Sequence, residues 1–258
     1  MSKLFYREYG NGDPLIILHG LLGCSDNWIF HGKKFSNFFR VFLIDQMNHG
    51  NSPHSIHINY DSLSDDIYEF IIEKKLSPVT IIGHSMGGKV AMFFALKYPN
   101  LINRLIVLDI APKDYSINAR FNSIIQAVLS LPLKDIKSRK EADNFLSSYI
   151  SELSVRNFLL KNLKRINSLN FIWKPNIQLI SSKINELYSW DIKIFSSNVP
   201  ALFIKGEDSN YVVESDLKLI KLYFPNSDLK SIKNSGHWIH VDSPDIFYSL
   251  VLQYLNIL

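Results

Sequence analysis

The segment Val79-Thr80-Ile81-Ile82-Gly83-His84-Ser85-Met86-Gly87-Gly88 constrains this chain more than any other. A β-branched run leads into Gly-x-Ser-x-Gly, and the helix-forming run from Lys89 to Lys97 follows without a break. Strand, sharp turn and helix in direct succession are the context in which this pentapeptide works as a nucleophile elbow. A β-carbon at position 83 or 87 of such a turn would collide with the neighbouring strand and helix, so glycine is required and Ser85 is pushed out above the sheet. The helix behind the serine brings unpaired N–H groups and a positive dipole end to the place where an oxyanion would develop. The competing reading is a plain helix N-cap serine after a glycine-rich turn.

The strands around this segment define a fold class. Short runs at 14–18, 40–44, 79–82 and 104–108 are continuously apolar, as expected of strands covered on both faces of a parallel sheet, and helical segments separate them. After Pro112 the rhythm stops, and from about 116 to 190 the pattern is helical, with segments near 120–129, 139–150, 155–166 and 177–187. Strand rhythm resumes at 199–205 and 229–232, and a final helix is expected near 245–256. This predicts an α/β protein with a mostly parallel central sheet flanked by helices. Residues 1–112 and 199–258 form its core, and 113–198 form an inserted helical lid. A chain of 258 residues is long enough to bury one large apolar interior.

Charge and cysteine usage exclude several functions. The net charge of +4 comes from Lys and Arg scattered among Asp and Glu, so no basic tract or interleaved aromatic face points to a nucleic-acid partner. Cys24 stands alone, which rules out an intramolecular disulfide and a metal site built on cysteines. The first residues lack the apolar stretch of a signal peptide, and no later run reaches membrane-spanning length, so the expectation is a cytoplasmic protein without a membrane span. The sequence leaves its oligomeric state open.

A serine hydroxyl is a poor nucleophile until a base takes its proton. Of the eight histidines, His237 alone combines a late position, a preceding strand and a glycine-led turn, Asn234-Ser235-Gly236-His237-Trp238. His240 lies close enough to suggest a metal-binding pair, but no third ligand accompanies it at a recognised spacing, and no metal or other cofactor is expected. His19-Gly20-Leu21-Leu22-Gly23 follows the first apolar strand, the place that supplies a second oxyanion donor in this architecture. The two donors are assigned to the backbone N–H groups of Leu21 and Met86, and His19 is read as a brace for its loop. A carboxylate must hold the imidazole in the right tautomer. Asp109 ends the strand at 104–108, whereas Asp208 follows the next strand, and both precede His237 in the required order.

Together these residues resemble the α/β-hydrolase superfamily, and specifically the YbfF-like esterases. The resemblance extends over nearly the whole chain. Beyond the elbow and Gly236-His237-Trp238, it rests on Asp45 with Asn48-His49-Gly50 and Ser52-Pro53, and on Leu108-Asp109-Ile110-Ala111-Pro112. In most relatives the acid is the fourth residue of a Gly-x-x-Asp turn, where this chain has Ser209. YbfF-like proteins are similar in having serine there and an aspartate at the end of the preceding strand. The resemblance therefore implies Asp109 as the acid, with Asp208 as rival and Ser209 as an auxiliary partner of the imidazole. Met47 departs from the pattern, since relatives commonly carry a basic residue before Asn-His-Gly. Asp45 is read as ordering the Asn48-His49-Gly50 turn, and neither Asp45 nor His49 as catalytic.

The expected chemistry is acyl transfer to water from a small-molecule ester, of short to medium acyl length, or from an acyl thioester. The lid residues Phe145, Tyr149, Phe158, Leu159, Leu163, Trp173 and Trp190 are candidate walls of an acyl tunnel. Lys161, Lys164 and Arg165 are expected on one helical face, where they could meet the phosphates of an acyl-coenzyme A, a substrate class the resemblance permits. A solvated face is the plainer reading of those charges. The alternatives are carbon–carbon bond hydrolysis or a lyase on the same frame, and a catalytically silent ligand-binding protein, which would not need this full set of parts.

Overall fold

Along each parallel strand, successive side chains go to two different cores. Leu15 and Ile17 pack with Trp28, Phe35, Phe247 and Val251 on one face of the sheet. Ile16 and Leu18 pack with Ile67, Phe70, Val90 and Phe94 on the other. The same split separates Ile106 and Leu108 from Leu105 and Val107. This period of two, with apolar side chains on both faces, is why the strands read as unbroken hydrophobic runs.

A computed structural model describes residues 4–116, 119–167, 170–193 and 196–258. In chain order the elements begin β1 (Tyr6–Tyr9), β2 (Asp13–Leu18), α1 (Ile29–Phe35), β3 (Phe39–Ile44), α2 (Tyr60–Lys74), β4 (Val79–His84), α3 (Met86–Lys97) and β5 (Ile102–Leu108). The inserted segment holds α4 (Ala119–Ser130), α5 (Arg139–Ser147), α6 (Leu153–Leu160), β6 (Leu163–Arg165), β7 (Phe171–Trp173), α7 (Ile177–Ser182) and α8 (Ile184–Tyr188). The core resumes with β8 (Ala201–Gly206), α9 (Asp216–Tyr223), β9 (Ser227–Ile232), α10 (Ile239–Asp242) and α11 (Pro244–Tyr254). The seven-stranded sheet runs β1-β3-β2-β4-β5-β8-β9. Only β1, paired with β3, is antiparallel among its pairings.

Strand register gathers the site. Leu18 lies opposite Gly83, His84 opposite Leu108, Leu108 opposite Ile204, and Gly206 opposite Ile232. Residues just past those strand ends therefore meet along one carboxyl edge of the sheet, where open α/β sheets hold their ligands.

The insert departs from the expected helices. The segment 155–166 is not one helix, because α6 stops at Leu160 and residues 163–165 pair antiparallel with 171–173. Asn162 ends the helix. It is buried, its side-chain amide donates to the Leu22 carbonyl at 2.6 Å, and its own carbonyl accepts from Lys174 N–H at 2.9 Å. Asn167 then turns the chain by accepting the Asn170 N–H. Lys161, Lys164 and Arg165 consequently share no helical face. Lys161 caps α6, while Lys164 and Arg165 are adjacent strand residues whose side chains alternate. The segment 177–187 is likewise broken at Lys183.

Candidate active site

Ser85 sits in the turn between β4 and α3 with φ 53° and ψ −118°, a conformation that costs a non-glycine residue about 1–3 kcal/mol. Two backbone bonds hold it, from Ser85 N–H to Leu108 O and from Lys89 N–H to Ser85 O, each 3.0 Å. The glycines on either side are sterically required. A β-carbon at Gly83 would lie 2.3 Å from Gly87 O, and one at Gly87 would lie 2.5 Å from the carbonyls of Leu18 and His19. Met86 opens α3, so its N–H is among those left without an intrahelical partner.

Across the elbow, the turn that follows β2 is closed by Gly23 N–H on Gly20 O, 2.9 Å, with Leu22 at φ 58°. His19 braces this turn. Its Nδ1 donates to Gly20 O at 2.8 Å, and its Nε2 accepts the Gln46 N–H at 3.1 Å. Burial holds its pKa down near 4, so the ring stays neutral and its tautomer is fixed by these two bonds. Leu21 and Met86 both line the same cavity as Ser85.

His237 follows β9 and also lines that cavity. Its Nδ1 lies 2.8 Å from Asp109 Oδ2, which leaves Nε2 as the nitrogen able to take a proton. Its backbone carbonyl accepts a hydrogen bond from His84 Nε2 at 2.9 Å. Burial keeps His84 neutral, with a pKa near 3. The ring of Tyr211 stacks on the imidazole at 3.9 Å between centroids, fixing its plane.

Asp109 is fully buried at the end of β5, with φ 49°. Its Oδ1 accepts the Gly206 N–H at 3.2 Å, and its Oδ2 accepts the Ser209 hydroxyl as well as the His237 ring. Ser209 in turn accepts the Tyr211 N–H at 3.2 Å, so one short loop holds both the acid and the stacking ring. Gly206 is needed where the end of β8 passes the loop that carries His237, since a β-carbon there would meet Gly236 O and Ser235 O at 2.3 Å. Asp208 is exposed, and its N–H goes to Ser235 O at 3.0 Å. The structure thus brings Asp109, and not the Asp208 carboxylate, to the imidazole, while the Ser209 hydroxyl, expected on the imidazole, donates to Asp109 instead.

Other residues singled out in the sequence fall nearby with different duties. His240 is buried with its ring stacked on Trp28 at 4.1 Å, and no cluster able to hold a metal ion occurs among the described residues. Asp45 accepts the N–H groups of Ser25 and Asn51 and thereby ties the 48–51 turn. The cavity over Ser85 measures ≈ 190 Å³. Of the seven aromatic and apolar residues expected to wall it, Phe158 and Leu159 do so. Leu163 is buried in the insert, the Trp173 indole donates to Val128 O, and Trp190 packs on Phe93. Tyr60, Lys89, Tyr115, Tyr188 and Tyr211 line the cavity and escaped the sequence reading. The only signal for Lys89 was a charge immediately before the apolar run at 90–96.

Residues 13–244 match the family described as alpha/beta hydrolase fold, and the chain belongs to that family. It is an esterase/lipase-type hydrolase similar to the YbfF-like esterases. Esterase YbfF of Escherichia coli is 30% identical over 246 residues, covering 95% of this chain and 94% of that protein. An sn-1-specific diacylglycerol lipase of Danio rerio is 37% identical over 255 residues, covering 96% of this chain and 80% of the relative. Among solved structures, a marine microorganism esterase superposes with a TM-score of 0.95 at 43% identity, over 98% of this chain and 100% of its own. No helix among the described residues is long and apolar enough to cross a membrane.

Proposed function

We propose that this protein is a serine esterase in which Ser85, His237 and Asp109 form the catalytic triad and the N–H groups of Leu21 and Met86 form the oxyanion hole. Residues 113–198 act as its lid. The observation that carries the reading is the 2.8 Å contact of the buried Asp109 with His237, which lines the same cavity as Ser85. His237 Nε2 takes the Ser85 proton as the hydroxyl oxygen attacks the ester carbonyl. The oxyanion is held by the two N–H groups, and the imidazolium returns the proton to the leaving alkoxide as the C–O bond breaks. Water, deprotonated by the same nitrogen, then releases the acid and restores Ser85. Asp109 keeps the Nδ1–H tautomer throughout and stabilises the imidazolium.

A cavity of ≈ 190 Å³ with Phe121, Ile124, Val155 and Phe158 in its lining suits a short to medium acyl chain. A thioester presents the same carbonyl to Ser85. Its coenzyme A version has lost its specific support, because Lys161, Lys164 and Arg165 form no common face. The test is steady-state hydrolysis of p-nitrophenyl esters from acetate upward by wild type and Ser85→Ala, with labelling by a fluorophosphonate. Turnover and label that both vanish in Ser85→Ala are expected, with a rate maximum at a short to medium chain. A folded wild type without turnover or Ser85-dependent label would refute the esterase reading.

A further inference from the structure

Lys89 lies in the first turn of α3, four residues beyond Ser85 in sequence, and lines the same cavity. It is 1% exposed. Its Nζ donates to the backbone carbonyls of Tyr188 at 3.0 Å and Ser189 at 2.8 Å, and lies over the rings of Tyr60 and Tyr115 at 5.4 and 5.0 Å. Neither hydroxyl of that aromatic pair is free to serve a ligand. Tyr60 donates to Leu187 O, while Tyr115 donates to Tyr211 O and accepts the Ala111 N–H. An ammonium has three donors, and two are used.

The charge of Lys89 has no carboxylate in contact among the described residues. Asp114 acts on it only from a distance, its own Oδ1 taking the Trp190 N–H at 2.6 Å. A buried cation held by carbonyl dipoles and aromatic faces alone is incompletely compensated. Burial accordingly pulls its pKa down to about 7. A lysine that served only to tie the insert to α3 would have no need to line the cavity with its charge unmatched.

We propose that Lys89 forms an anion subsite beside Ser85, and that the substrate is an ester carrying a carboxylate a few carbons from the scissile carbonyl. This rests on the esterase reading for the reaction, and adds the class of substrate. In an otherwise largely apolar cavity, the third N–H of the ammonium supplies the one charge-assisted bond that separates a half-ester of a dicarboxylic acid from a neutral ester of the same length.

The test has two arms. Hydrolysis of monomethyl glutarate, methyl pentanoate and O-butanoylglycolate is followed by acid release in wild type, Lys89→Met and Lys89→Arg, and glutarate binding is measured by calorimetry. Wild type is expected to prefer a charged ester over methyl pentanoate by tenfold or more in kcat/KM. Lys89→Arg keeps that ratio, and Lys89→Met lowers it at least tenfold. Whether monomethyl glutarate or O-butanoylglycolate is preferred tells if the carboxylate belongs to the acyl or the alcohol side. Ester hydrolysis without a charged preference, together with no glutarate binding, overturns the subsite and leaves the esterase standing. Glutarate binding that Lys89→Met abolishes, with no ester turned over, sinks the esterase reading alone. Should Lys89→Met fail to fold, the wild-type ratio and the calorimetry still decide.

Discussion

Asp109→Asn separates the two candidate acids and has a magnitude that follows from the hydrogen bonds. The carboxylate accepts three donors, the Gly206 N–H on Oδ1 and the Ser209 hydroxyl and His237 ring on Oδ2. An asparagine offers one oxygen and one NH₂ group. Placing the NH₂ at Oδ1 sets it against the Gly206 N–H, leaving two buried donors unsatisfied at about 1–3 kcal/mol each. Placing it at Oδ2 is cheaper, because the Ser209 hydroxyl can rotate and the imidazole can accept at Nδ1. That choice puts the His237 proton on Nε2, the nitrogen that has to receive the proton of Ser85. The expected result is a kcat lower by about 10³–10⁴-fold, or about 4–5.5 kcal/mol of barrier, with the protein still folded. Asp208→Asn, altering an exposed side chain, should stay within about threefold of wild type. Initial rates on p-nitrophenyl butyrate, read beside thermal melts, measure both. Asp109→Asn retaining a tenth of wild-type kcat, or Asp208→Asn collapsing with it, would refute the assignment.

Two further outcomes follow from buried polar groups. Asn162→Ala removes the 2.6 Å bond from the insert to Leu22 O, in the turn that presents the Leu21 N–H. It should cost about 1–3 kcal/mol in a denaturant titration, and it should lower kcat more than it raises KM; a rise in KM alone would show that the bond does not position the oxyanion donor. His19, His49 and His84 are held neutral by burial, with pKa values near 4, 3 and 3 against 6.5 in the unfolded chain. Below pH 6.5 the unfolded state binds protons that the folded state refuses, so stability falls as pH drops toward 4, each ring costing up to about 3 kcal/mol there. Circular dichroism melts between pH 7 and 4 check this, and a melting temperature flat across that window would contradict it.

The sequence by itself determined the parts whose physics is local or periodic. The elbow is legible because Gly-x-Ser-x-Gly sits directly between a β-branched run and a helix-forming run, and Gly83 is forced by Gly87 O within the same turn, although what forces Gly87 is the end of β2. The parallel sheet is legible because two-sided burial writes unbroken apolar runs, and β5, read as 104–108, is observed as Ile102–Leu108. His237 stood out through its glycine-led turn. β1 left no such mark, since Tyr-Arg-Glu-Tyr becomes a strand through its pairing with β3.

Only the tertiary structure decided which groups face one another across long separations. Asp109 and Asp208 follow strand ends equally well in sequence, and the difference lies in their surroundings. Asp109 is buried against Gly206, Ser209 and His237, while the next loop turns Asp208 to solvent. The spacing of Val155, Leu159, Leu163 and Ile166 suits a helix, yet Asn162 finds the carbonyl of Leu22, 140 residues away in sequence, and the helix ends. Lys89 is the same lesson at the cavity wall: its carbonyl partners lie about a hundred residues further along the chain. Periodicity encodes which face a residue takes, but a buried polar group is fixed by the partner that satisfies it, and that partner is known only once the chain has closed on itself.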